Sequence, residues 1–125
     1  MNVPENIFYT KDHEWIKIDS NIATIGITDY AQAELGDIIF LEFPQIGLKC
    51  LVGDSIGTIE AVKTVADIYS PIEGTVKEIN TTLEDGPEII NKDPYISGWI
   101  LKIEVKESID RSHLLPHSDY IELIR

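Results

Sequence analysis

Lys63 stands in a setting that most lysines do not share. It lies between two β-type runs, residues 55–61 and 65–69, which places it at or near the tip of a hairpin. Its neighbours Ala61, Val62, Thr64, Val65 and Ala66 are small or aliphatic, where an ordinary exposed hairpin carries Asn-Gly or Asp-Gly. A lone lysine between uncharged residues is presented for recognition. Buried, its amine would serve as a Schiff-base nucleophile; exposed, it would serve as an amide attachment point, and a hairpin tip favours attachment.

Other chemistry-bearing arrangements are absent or weak. There is no glycine-rich phosphate loop and no G-x-S-x-G elbow. His113 and His117 are four apart, but Pro116 between them disrupts the helix that a metal pair at that spacing needs. His13 sits beside Glu14 and Trp15 at a strand edge and reads as a structural or pocket-lining residue. Cys50, inside the apolar run 48–52, reads as a small buried hydrophobe rather than a nucleophile. With 22 Asp plus Glu in 125 residues, a close pair of acids arises by chance, so paired carboxylates carry no message. Nothing in the residues themselves points to an enzyme.

Composition narrows the field further. Ten Lys plus Arg against the 22 acids give a formal charge of −12, which argues against nucleic acid and anionic membranes, since both demand a positive surface. No stretch approaches the roughly 18 apolar residues of a membrane span. One cysteine forms no intrachain disulfide, and a reducing compartment suits it. The start, Met1 through Asn6, has neither a basic segment followed by an apolar one nor an Arg- and Ser-rich, acid-poor character, so no secretory or transit signal is expected.

The elements that must position Lys63 are short strands. Runs at 16–18, 22–27, 38–43, 48–52, 55–61, 65–69, 74–79 and 99–105 are separated by turn residues, among them Pro44 to Gly47, Gly53-Asp54 and Asp85-Gly86-Pro87. In the last run Trp99, Leu101, Ile103 and Val105 share one face, while Ile100, Lys102, Glu104 and Lys106 are expected on a wet one. Many short strands at this spacing predict a mainly β fold, a sandwich or flattened barrel. Helix is scarce. Thr28 or Asp29 caps a short helix through Leu35, with Gln32 in a capping-box-like place and Gly36 as its stop. A second is expected at 87–91. A C-terminal helical appendage over residues 107–125 is expected as two short helices, 108–115 and 118–124, divided by Pro116. One domain, residues 1–125, accounts for the whole.

The motif Glu60-Ala61-Val62-Lys63, followed by Asp67-Ile68-Tyr69-Ser70-Pro71-Ile72-x-Gly74-x-Val76, resembles the lipoyl-attachment hairpin of the glycine cleavage system H proteins, and more loosely the wider biotinyl/lipoyl carrier family. The resemblance extends to Tyr9 through Trp15, to Gly26 through Gln32 with Leu35-Gly36-Asp37, and to Asn91 through Tyr95 with Gly98-Trp99. Together these blocks cover nearly the whole chain in the family's order. Departures are few: Ala61 and Ala66 stand where serine is common, and Ile96-Ser97-Gly98 stands where the family usually has Gly-Glu-Gly.

The resemblance implies the biotinyl/lipoyl carrier fold and a non-enzymatic shuttle with lipoate in amide linkage to Lys63, in the motif context of Glu60, Ala61 and Val62. Its implied partners are glycine decarboxylase (P-protein), which would load an aminomethyl group with release of CO2, and aminomethyltransferase (T-protein), which would pass it to tetrahydrofolate. Dihydrolipoamide dehydrogenase (L-protein) would reoxidise the dithiol, and a lipoate ligase or lipoyltransferase would attach the arm. A labile, protonatable amine on such an arm calls for a cleft with a carboxylate and apolar walls. The resemblance puts Glu14 and Asp67 near that cleft, Glu14 as the main partner, with His13 and Trp15 around it. A cytoplasmic bacterial monomer is expected, ahead of a mature mitochondrial-matrix protein. Three rivals stay open: a lipoate relay protein without a glycine cleavage role; a biotin carrier, whose lysine typically has Met on either side where Val62 and Thr64 stand; and a Schiff-base lysine enzyme.

Overall fold

Period-two alternation of isoleucine and valine with polar residues makes strands that bury one face, and strands of this kind must pair back to back. A computed structural model describes all 125 residues and has that architecture. The strands are β1 (Phe8–Tyr9), β2 (Glu14–Asp19), β3 (Ile22–Ile27), β4 (Ile38–Glu42), β5 (Lys49–Cys50), β6 (Ser55–Ala61), β7 (Val65–Tyr69), β8 (Gly74–Ile79) and β9 (Leu101–Glu104). The helices are α1 (Asp29–Leu35), α2 (Thr82–Asp85), α3 (Ile89–Lys92) and α4 (His117–Ile124). Six strands form one sheet in the order β1-β2-β3-β9-β8-β5, and three form a second, β4-β6-β7; all pairings are antiparallel. The sheets do not close into a barrel, so the architecture is the sandwich alternative. No helix is long and apolar enough to cross a membrane.

Nineteen buried side chains from both sheets and the helices between them form one apolar cluster, including Ile16, Ile25, Leu41, Ile59, Ile68, Val76 and Leu101. Burying an aliphatic side chain of this size is worth roughly 1.5–3 kcal/mol. A smaller cluster of Tyr9, Trp15 and Tyr120 joins β1 and β2 to α4. Trp15 covers Gly26 on the neighbouring strand: a Cβ there would lie 2.6 Å from the indole, so only glycine fits.

Five expectations need correction. Residues 108–115 are not helical. Asp110 Oδ1 accepts from the amide and hydroxyl of Ser112 and turns the chain, and Leu115, held extended before Pro116, exchanges two backbone hydrogen bonds with Tyr9. Only α4 remains of the C-terminal helices. The run 48–52 shrinks to β5, because Gly47 and Gly53 adopt φ of 97° and 90° and Asp54 accepts from the Leu51 amide in a turn. Ile100 is buried rather than wet, because it precedes β9; its amide donates to Ile25 and its carbonyl accepts from Asn80. The helix at 87–91 is observed as α3 over Ile89–Lys92. Thr28 is the cap of α1, accepting from Ala31 N–H at 3.1 Å, so the Gln32 to Asp29 bond lies inside the helix and is no capping box. Two elements were not anticipated, β1 and α2, which are 2 and 4 residues long and too short to show a period.

Candidate functional site: a lysine-tipped hairpin and an acid pocket

The hairpin of β6 and β7 pairs Thr58 with Asp67, Ile59 with Ala66 and Glu60 with Val65. The Ala61 amide donates to Thr64 at 2.8 Å, leaving Val62 and Lys63 as the tip. Neither tip residue has a positive φ, so the usual primed hairpin turn is not used. An outside contact holds the tip instead: Val62 N–H donates to Asp37 C=O at 3.0 Å. The α1–β4 connection that carries Asp37 is itself fixed by Asn91, whose side chain accepts from Ile38 N–H and donates to Gly36 C=O and to Gln32. Gly36, at φ 79°, leaves room for the lysine stem; a Cβ there would lie 3.3 Å from Lys63 Cε. Lys63 is exposed, as are Val62 (71%) and Val65 (60%), while Ala61 is buried against the core side. Glu60 is exposed on the outer face, level with Val65.

At the other end of β7 is a cavity of about 420 Å³, lined among others by Thr10, Asp12, Glu14, Tyr69, Pro71 and His113. Glu14 starts β2 and is only 2% exposed. Its Oε1 accepts from the Thr10 hydroxyl at 2.6 Å and its Oε2 from the Tyr69 amide at 3.2 Å. No cation bonds to it. Burial is the main influence on this carboxyl and pushes its pKa up to about 7, against the lowering effect of the two hydrogen bonds. At neutral pH it is therefore poised between an acid and an anion.

The predicted site residues separate into groups. Lys63 and Glu14 lie at opposite ends of β7, and Asp67 is exposed between them on the face it shares with Val65 and Tyr69. That face makes a continuous stripe from tip to pocket, about 13 Å along four residue steps from Val65 to Tyr69. Trp15 points away: strand alternation turns it to the Tyr9–Tyr120 cluster, with Nε1 donating to Pro94 C=O at 3.0 Å. His13 also lies behind the pocket rather than in its wall, its ring centre 4.7 Å from that of Tyr30 and tilted 39° to it, with Nδ1 2.9 Å from the Tyr120 hydroxyl. Burial lowers its pKa, outweighing Asp12 and Glu34. Cys50 is buried, its thiol donating to Gly74 C=O at 3.4 Å. Thr10, Tyr69 and His113 were not foreseen as pocket residues. Tyr69 contributes its backbone amide, which no side-chain type announces. His113 comes from the non-helical segment before Pro116, its Nε2 2.6 Å from Pro71 O.

Comparison with known proteins gives one consistent picture. The family model described as glycine cleavage H-protein matches residues 7–125. A glycine cleavage system H protein of Listeria monocytogenes (serotype 4a, strain HCC23) is 51% identical over 124 residues, covering 99% of each chain. One from Staphylococcus epidermidis is 48% identical over 124 residues, covering 99% of this chain and 98% of the relative. Among solved structures, the crystal structure of a glycine cleavage system H protein from Mycobacterium marinum superposes with a TM-score of 0.88 at 35% identity, covering 96% of this chain and 97% of that one.

Proposed function

This chain belongs to the glycine cleavage H-protein family, the lipoyl-bearing shuttles of the glycine cleavage system, and we propose that Lys63 is its attachment residue and Glu14 the acid that holds the cargo. The single observation that carries the reading is Lys63 itself, exposed at an immobilised tip with exposed Val62 and Val65 on either side. These residues fit an acylated lysine: the amine is accessible to a ligase, and the apolar flank suits an aliphatic chain. When bound, lipoate supplies the dithiol whose sulfur carries the aminomethyl group between enzymes.

This chain's own residues tether, guide and shield. Amide formation fixes the arm's root on a tip clamped by Asp37. The Val65–Asp67–Tyr69 face leads to the pocket, with Asp67 as an exposed anion on the way. Inside, Glu14 in its ionised form pairs with a cationic amine, while the Thr10 hydroxyl and Tyr69 amide hold both oxygens in place. Burial excludes the water that would hydrolyse the amine. In this reading the chain catalyses no step; it raises the effective concentration of cargo at each partner. Those partners are glycine decarboxylase, aminomethyltransferase and dihydrolipoamide dehydrogenase, with a lipoate ligase or lipoyltransferase installing the arm. The bacterial relatives support a cytoplasmic setting.

Reconstitution tests the reading. The lipoylated chain with active decarboxylase should support exchange of label between glycine and CO2, and Lys63→Arg should abolish it. A lipoylated chain that is silent beside an active decarboxylase contradicts the shuttle reading and points to a lipoate relay.

A further inference from the structure

We propose that Tyr120 and His13 form a relay from the C-terminal helix that positions Glu14, so that α4 acts on the pocket without touching it. This rests on the reading of Glu14 as the anion that holds the amine.

The relay is built from contacts behind the pocket. Tyr120, fully buried on α4, stacks on Tyr9 with ring centres 4.5 Å apart and planes 7° from parallel. Its hydroxyl lies 2.7 Å from Thr28 Oγ1 and 2.9 Å from His13 Nδ1. Only one assignment of protons satisfies every group. Thr28 Oγ1 already accepts from Ala31 N–H, so if Tyr120 also donated to it, the proton of the fully buried Thr28 hydroxyl would have no acceptor. Thr28 therefore donates to Tyr120, and Tyr120 donates its one proton to a neutral His13 Nδ1. The lowered pKa of His13 agrees with a neutral ring. Asp12 and Glu34 are the charged groups that act on the ring, Tyr30 packs against it at a 39° tilt, and neither acid outweighs burial.

His13 needs this hold because its backbone is in the left-handed region, φ 66°, a conformation that costs a non-glycine residue energy. That conformation closes the turn at residues 10–14. His13 N–H donates to Thr10 C=O, Thr10 N–H donates to Glu14 C=O, and His13 C=O accepts from Thr28 N–H. With the turn closed, Thr10 Oγ1 accepts from the Asp12 and Glu14 amides and donates to the Glu14 carboxylate. The chain of contacts thus runs from the Tyr120 hydroxyl through the His13 ring and backbone to the hydroxyl that fixes Glu14 Oε1.

Three full-length variants test this, read by the carboxyl titration of Glu14 in the chain without its arm and by the lifetime of the loaded arm. Tyr120→Phe keeps the ring on Tyr9 and removes only the hydroxyl. It should let water reach Glu14, bring its titration midpoint down toward the ordinary carboxylate range, and shorten the lifetime several-fold. His13→Asn places an amide oxygen near the Nδ1 position and tolerates a positive φ, so it should stay close to the parent in both readouts. His13→Val has no acceptor and resists that φ, and should be at least as damaged as Tyr120→Phe. The relay is overturned if Tyr120→Phe leaves both readouts unchanged, or if His13→Asn is as damaged as His13→Val. If Glu14→Gln leaves the lifetime unchanged while Tyr120→Phe still shifts the Glu14 titration, the amine reading of Glu14 falls and the positioning role stands.

Discussion

A buried carboxyl with two hydrogen-bond donors and no cation makes Glu14 sensitive to pH in a direction that can be worked out. Its folded pKa, about 7, lies above that of an exposed glutamate, about 4.3 in the unfolded chain. A raised carboxyl pKa stabilises the folded state fully below the unfolded value, and that contribution is lost as pH rises toward about 7. Glu14→Gln, which keeps the shape without the ionisation, should therefore gain stability relative to the parent across pH 4 to 7, by up to about 4 kcal/mol above it, in urea unfolding at matched pH. The cargo follows the opposite sign. Retention of a cationic amine should strengthen as pH rises through about 7, and Glu14→Gln should flatten that rise and shorten the loaded lifetime. The place of Lys63 at a hairpin tip was legible in the sequence because the β-type runs on both sides of it are a local signal. The poise of Glu14 was not, because its burial is made by Thr10, a backbone amide of β7 and a segment more than 90 residues away. Trp15 shows the converse: adjacency to Glu14 suggested a shared pocket, but a strand turns successive side chains to opposite faces.

Elements far apart in sequence immobilise the hairpin tip. Asn91 of α3 holds the α1–β4 connection through three hydrogen bonds, and that connection holds Val62 beside Lys63. Asn91→Ala leaves the Ile38 amide and Gly36 carbonyl without their partner and should cost about 1–3 kcal/mol. Its sharper signature is faster hydrogen exchange at the Val62 amide, with exchange in β2 and β3 little changed. Four of the eight expected strand runs, 22–27, 55–61, 65–69 and 74–79, were found at their predicted bounds, and α1 was legible from its Thr28 cap and Gly36 stop. The segment 108–115 misled because its spacing fits a helix, whereas Asp110–Ser112 turns the chain and Leu115 pairs with a strand that two residues could not announce. Local pattern predicts local structure; pairing partners decide the rest.

At the scale of the molecule, the 19-residue cluster draws on both sheets, so we expect one cooperative unfolding transition with near- and far-UV circular dichroism coincident; separate transitions would divide the chain. Charge is the second global property. Amide formation removes one of 10 cationic side chains and leaves all 22 acids. Docking on basic partner surfaces should therefore weaken with ionic strength, with the transfer rate from decarboxylase falling several-fold between low and physiological salt. A single cysteine, buried as Cys50, offers no accessible thiol of the chain's own, so the dithiol of the proposed shuttle would be supplied by the arm proposed on Lys63. Intact mass with peptide mapping of the chain, expressed in cells with an active lipoylation system, tests that claim most directly. The expected result is one lipoyl amide, on the peptide containing Lys63 and absent from Lys63→Arg; an unmodified Lys63, or an adduct on another lysine, would contradict it.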